Sequence, residues 1–246
     1  MKGDTVFNSL PVYGIPGIGD MSNKPGSGGI GSETWKDASG NLWLFQLNSL
    51  WKYNPSNNQW TWMQGDTTVL VSGSNYGIKG VSDPANRPGG RSFPASWRDD
   101  AGNFWLFGDG DFSGNYKNDL WKFNPVNLQW TWMKGDSTNA FNIPAVFGTQ
   151  GFTSEGNHPG AREGSVMWKD GTGNLWLFGG DADTTTGVNG YKNDLWKYNS
   201  TTGHWIWMKG DSTKDNTGVY GTINITASTN KPGSRFGSVT WTDGSG

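Results

Sequence analysis

Apolar residues in this chain come in short runs with alternating faces, four runs to a unit, and the unit recurs. The string NLWLF at residues 41–45 returns as NFWLF at 103–107 and again as NLWLF at 174–178. Downstream, LWKYN at Leu50 returns as LWKFN at Leu120 and LWKYN at Leu195, each followed by a Trp-x-Trp-Met run that ends at Met63, Met133 or Met208. Short runs of this kind, bounded by Gly, Asn and Asp, predict strands. In the third unit they fall at 164–169, 174–179, 194–199 and 204–209. The linkers at 170–173 and 200–203 have hairpin length, whereas the other two connections are longer and leave an up-and-down sheet at one common edge. That edge is expected to carry nearly all of the variable sequence.

Strand two is apolar on both faces, with Leu175 and Leu177 on one side and Trp176 and Phe178 on the other. A sheet covered on both faces needs a like sheet on each side, and radial stacking of such units makes a β-propeller. All 16 Trp fall on repeat columns, five per unit and then Trp241, and are expected to lie buried between sheets. Trp176 in particular reads as structural.

The run PGAREGSVMWKDGTGNLWLFGGD at 159–181, followed by Tyr191, LWKYN and the strand-four Trp pair, resembles the kelch repeat. With its long connections after strand four, the chain is similar to kelch-type proteins of bacterial surfaces and secretions that are related to the galactose oxidase central domain. The resemblance spans essentially the whole chain. It implies an all-β, kelch-type β-propeller segment: a degenerate blade at 1–62, blades at 63–132 and 133–207, and the start of a fourth blade at 208–246 whose one strand is 237–242. It also implies that the repeated Arg, Tyr and Trp hold blades together. Unit one departs from the pattern, with Gly29 where the others have Arg91, Arg162 and Arg235, and with residues 45–47 running straight into strand three.

Three blades and a strand form a partial ring. At about 70 residues per unit, a ring of six to eight blades needs roughly 420 to 560 residues, and Met1 opens the string MKGD that recurs at Met133 and Met208. Further copies of the chain, or the remainder of a longer parent, are therefore expected to cover the exposed sheet faces.

Composition narrows the function. Gly contributes 39 of 246 residues, which disfavours helices, and a net charge of -2 offers no basic stripe for nucleic acid. No apolar run is long enough to span a membrane as a helix. There is no Cys, so the Cys–Tyr copper radical chemistry of galactose oxidase is not expected. His158 and His204 sit on different edges of a blade, and no cofactor is expected. Asp109 and Asp111, like Asp181 and Asp183, resemble the start of a calcium loop, but Leu120 and Lys192 stand where its bidentate acid belongs, leaving only an irregular calcium site open. Asp4, Asp66, Asp136 and Asp211 recur after Gly and read as turn caps. The Arg column reads as hydrogen-bonded to a neighbouring blade or loop carbonyl, with a carboxylate clamp as the alternative.

What varies between units is the natural binding surface on a fixed scaffold. Asp109, Asp111, Phe112 and Asn115 in blade two, and Phe141, Phe152, Asn157, Asp181 and Asp183 in blade three, are the candidate ligand-binding residues. The expected function is a non-enzymatic binding or scaffold module, secreted or on a cell surface, that recognises protein or glycan. The competing readings are a polysaccharide-acting hydrolase or lyase and a purely structural surface protein.

Overall fold

Each sheet begins at a hairpin that its own side chains close. Asp37, Asp99 and Asp170 occupy the turn between strands one and two, and each accepts the indole N–H of the Trp six residues on: Trp43 at 2.9 Å, Trp105 at 2.8 Å and Trp176 at 2.8 Å. Asn41, Asn103 and Asn174 donate to the same carboxylates, an Asx arrangement that fixes the turn. The computed structural model describes residues 8–28, 31–67, 73–110, 115–137, 142–182 and 189–241. Among them the fold is all-β, without helix, in three antiparallel sheets.

The first sheet comprises β1 (Glu33–Lys36), β2 (Leu42–Gln46), β3 (Ser49–Asn54) and β4 (Gln59–Gln64), in that order. The second comprises β5 (Ser82–Asp83), β6 (Ala95–Arg98), β7 (Phe104–Gly110), β8 (Tyr116–Asn124) and β9 (Gln129–Lys134), ordered β5-β9-β8-β7-β6. The third comprises β10 (Arg162–Glu163), β11 (Val166–Lys169), β12 (Leu175–Ala182), β13 (Gly190–Asn199) and β14 (His204–Lys209), with β10 and β11 both pairing β12. The two-residue strands β5 and β10 were not expected from the sequence, and β13 starts four residues earlier than its apolar run. Both differences arise because backbone pairing continues past the side-chain alternation that reveals a strand.

The expected strand at 237–242 is corrected. Residues 237–241 pair in no strand, and Trp241 is 82% exposed; Thr242 lies outside the described residues. Strand one pairs only with strand two in every sheet, and among the described residues no strand two follows here to hold it.

Two cores bind the sheets face to face. Trp35, Trp43, Phe45 and Leu50 of the first sheet pack on Phe104, Phe123 and Trp130 of the second. Trp97, Trp105, Phe107 and Leu120 of the second pack on Leu175, Leu177, Tyr198 and Trp205 of the third. Ring contacts repeat with the columns: Phe45 meets Trp130 edge-on at 5.9 Å, and Phe107 meets Trp205 edge-on at 5.5 Å. Among the described residues no further sheet stacks on the third, and Trp176 is half-buried.

The long segments after strand four do not simply project from one edge. Strand four is the edge of the first and third sheets, with only the two-residue β5 beyond it in the second, and its outward carbonyls need partners. Gly17, Gly80 and Gly151 donate their N–H groups at 2.8 Å to Trp62, Trp132 and Trp207. The segments therefore run along strand four of the sheet that follows them in the chain, and Tyr13, Tyr76 and Phe147 from them pack against Trp51, Trp121 and Trp196 of that sheet at 5.1 to 5.3 Å.

Candidate functional site

Arg91 and Arg162 enter the base of strand one fully buried, and their partners lie 28 and 32 residues away. Arg91 meets both carboxylate oxygens of Asp119 at 3.1 and 3.0 Å and donates to the carbonyls of Gly108 and Pro88 at 3.0 and 2.6 Å. Arg162 meets Asp194 at 2.7 and 2.9 Å and donates to Gly179 at 3.1 Å and to Pro159. Trp121 and Trp196 each add an indole N–H at 2.8 Å, and Tyr76 adds its hydroxyl at 2.9 Å. Burial opposes the charge on Asp119, but Arg91 with Lys117 and Trp121 outweighs it and holds the carboxyl below its ordinary range. These guanidinia are consumed inside their own sheets and present no face to a ligand carboxylate. Loop carbonyls were anticipated as partners; the aspartates were not.

In the first sheet Ser49 replaces the aspartate and no arginine reaches it. Gln46 Nε2 instead approaches the Gly26 carbonyl at 3.4 Å. A cavity of about 140 Å³ remains there, lined by Tyr13, Gln46, Ser49 and Trp51.

Gly108 and Gly179 interrupt the strand-two ladders at bulges, with φ of 62° and 65°. A Cβ on Gly108 would collide with the Arg162 carbonyl, so glycine is what lets the third sheet close on the second.

Around this closure lies a polar group at the strand 2–3 edge. Tyr116 at the start of β8 donates its hydroxyl to Asp181 of the third sheet at 3.0 Å and accepts from Asn189 at 2.8 Å. Glu163, Asp181 and Tyr191 stand directly opposite one another across β10, β12 and β13. Tyr191 is 48% exposed. Burial pushes the Asp181 carboxyl up against the opposing hydrogen bond from Tyr116, and burial with Asp181 and Glu163 nearby raises the Tyr116 phenol. The group offers carboxylate acceptors, an amide, a phenol and an exposed aromatic ring within one edge.

The sequence candidates separate. Asp181 belongs to this group, and half-buried Asn115 immediately precedes Tyr116. Asp109 lies inside β7, fully buried, with Lys117 Nζ at 3.7 Å. Phe152 lies elsewhere: it is 68% exposed, and the adjacent Thr153 is 3.3 Å from His204 at the start of β14, the opposite end from the strand 2–3 edge. Asn157 is buried and donates to the Phe152 carbonyl at 3.1 Å. Asn23, Asn86 and Asn230 make the corresponding bond to Ile18, Val81 and Ile225, so Asn157 belongs to the repeat and not to its variable part. Asp111, Phe112, Phe141 and Asp183 lie outside the described residues. Among the described residues no cluster of three acids or histidines is placed to hold a metal ion.

Tyr116 and Glu163 escaped the sequence reading, as did the partners Asp119 and Asp194, whereas Asn189 ends the variable stretch 184–189 that the sequence offers for recognition in blade three. One signal was available for the aspartates: the unit that lacks Arg, with Gly29, also lacks Asp, with Ser49.

No protein-family model matches this chain, and no curated protein matches it. Among solved structures it is similar to one described as the structure of YjhT, at 13% sequence identity, covering 82% of this chain and 54% of that one, with a TM-score of 0.46. The chain thus spans about half the length of that protein.

Proposed function

We propose that the three sheets are blades of a kelch-type β-propeller and that the protein is a non-catalytic binding module, secreted or on a bacterial cell surface, that holds glycan at the strand 2–3 edge. Supporting the blade arrangement, the second and third sheets are tied near the start of strand one, where Gly164 N donates to Phe93 O at 2.9 Å, and Gly237 N repeats the bond to Gly164 O at 2.9 Å. The observation that carries the binding assignment is the Asn189–Tyr116–Asp181 hydrogen-bond chain across two sheets, beside exposed Tyr191. Sugar hydroxyls both donate and accept, which suits a carboxylate next to an amide and a phenol, and an aromatic face suits the apolar side of a pyranose ring. The recurring Arg and Asp pairs are already committed within the protein, so recognition falls to groups outside those pairs.

A glycan array with a reducing-end assay on the same samples tests this. The expected result is glycan bound without new reducing ends, weakened about tenfold, equivalent to ~1.4 kcal/mol, by Asp181→Asn at unchanged melting temperature. Absence of any bound glycan, or release of new ends, overturns it.

A further inference from the structure

The cavity in the first sheet lies where each of the other two sheets buries an ion pair. In the second sheet the Asp119 carboxylate stands at the centre of that space. It accepts the Trp121 indole N–H at 2.8 Å and the Tyr76 hydroxyl at 2.9 Å, and it meets both terminal nitrogens of Arg91 at 3.0 and 3.1 Å. Asp194 repeats the arrangement in the third sheet with Trp196 and Arg162, and Phe147 stands in the tyrosine column.

The first sheet keeps the two neutral donors and loses both charges. Tyr13 packs on Trp51 at 5.3 Å, as Tyr76 does on Trp121 at 5.1 Å. Ser49 stands two residues before Trp51, as Asp119 does before Trp121, and its hydroxyl is turned to Asn48 Oδ1 and the Asp66 carbonyl, both at 3.3 Å. Among the described residues neither the Trp51 indole N–H nor the Tyr13 hydroxyl has a hydrogen-bond partner, although Trp51 is only 1% exposed. A donor held that deep without an acceptor carries a desolvation cost that a bound acceptor relieves. In the neighbouring sheets the space is filled by side chains of the same sheet, so the cavity follows from the residues of this one sheet. Its volume of about 140 Å³ is well above the roughly 10 to 15 Å³ that admits one water.

Two requirements select the ligand. The acceptor that best satisfies two converging donors is a carboxylate. A carboxylate at this depth needs a cation beside it, and among the described residues no Arg, Lys or His bounds the cavity, so the cation has to arrive with the ligand. An α-amino acid carries both groups on one carbon and reproduces the Asp–Arg contact within a single molecule. We propose that this cavity binds a small zwitterion of the α-amino acid class, with a side chain no larger than that of alanine or serine. Its carboxylate takes the Trp51 and Tyr13 donors. Its ammonium lies toward Gln46, in the column from which Gly108 offers its carbonyl to Arg91. The site shares no residue with the Asn189–Tyr116–Asp181 group and stands whether or not that group binds glycan.

Nitrogen-15 NMR of the tryptophan indoles tests the proposal on the full chain, with the Trp51 resonance identified as the one lost in Trp51→Phe. Glycine and L-alanine are titrated to about 50 mM, enough to saturate a site of millimolar affinity. The expected result is a saturable shift of the Trp51 indole resonance, with acetate and methylammonium each binding at least about tenfold more weakly. Ser49→Asp, which places in the cavity the carboxylate that the other sheets have there, is expected to abolish the shift. Tyr13→Phe, the pairing that Phe147 and Trp196 already make in the third sheet, is expected to weaken binding about tenfold. It carries the test alone if circular dichroism shows Ser49→Asp unfolded. The proposal is overturned if neither amino acid gives a saturable shift, if acetate or methylammonium binds as tightly, or if a folded Ser49→Asp or Tyr13→Phe chain binds like wild type.

Discussion

Arg162 and Asp194 are both without exposed side-chain surface, so each is tolerable only because the other is there. Removing one partner of a buried pair leaves an uncompensated charge, which typically costs about 3 to 5 kcal/mol. Asp194→Ala is expected to fall in that range by denaturant unfolding, whereas Arg162→Met with Asp194→Leu should cost much less; equal losses would deny the pair its structural role. Glu33 behaves oppositely. Burial between the first two sheets pushes its carboxyl up from 4.5 to about 7 against a hydrogen bond from Ser96. A raised folded-state pKa favours the protonated form, so stability is fully present below about pH 4.5 and declines as pH rises toward 7. Glu33→Gln should therefore gain roughly 2 kcal/mol at pH 8, allowing for partial screening, and nothing at pH 4; thermal melts at both pH values check this. The sequence displayed the Arg column plainly but concealed its partners, because pairing across about 30 residues depends on which strands become neighbours.

Strand positions were legible wherever apolar alternation was strong: β14 coincides with the expected 204–209. What alternation could not reveal was the work of the segments after strand four, since variable sequence looks the same whether it reaches for a ligand or covers a backbone. Here the signal was a small repeated motif, Asn before a basic residue or His and then Pro-Gly, at Asn23, Asn86, Asn157 and Asn230. Asn86 illustrates its role, donating at 3.0 Å to the Val81 carbonyl and at 3.2 Å to the Trp130 carbonyl, so that it pins the segment to β9. Asn86→Ala is expected to cost about 1 to 3 kcal/mol, the range for stranding a buried polar group. It should also accelerate exchange of the Gly80 amide, which is bonded to Trp132, in hydrogen-exchange measurements. Unchanged exchange would mean that the segment is held without it.

Stacking of the sheets followed from strands apolar on both faces, and Trp43, Trp105 and Trp176 share one column through it. What the column pattern hid is that an identical residue has a different environment at the end of the stack. Trp105 is 4% exposed beneath the third sheet, whereas Trp176 has only partial cover. Replacement of a buried Trp by Ala costs about 3 to 5 kcal/mol, and an uncovered one forfeits much less. The most direct measurement is the unfolding free energy of Trp105→Ala and Trp176→Ala at low micromolar concentration, where association does not contribute. The expected result is a loss of about 3 to 5 kcal/mol for Trp105→Ala and less than half of that for Trp176→Ala. Equal losses, or a larger one at Trp176, would contradict a stack of equivalent sheets with an open end.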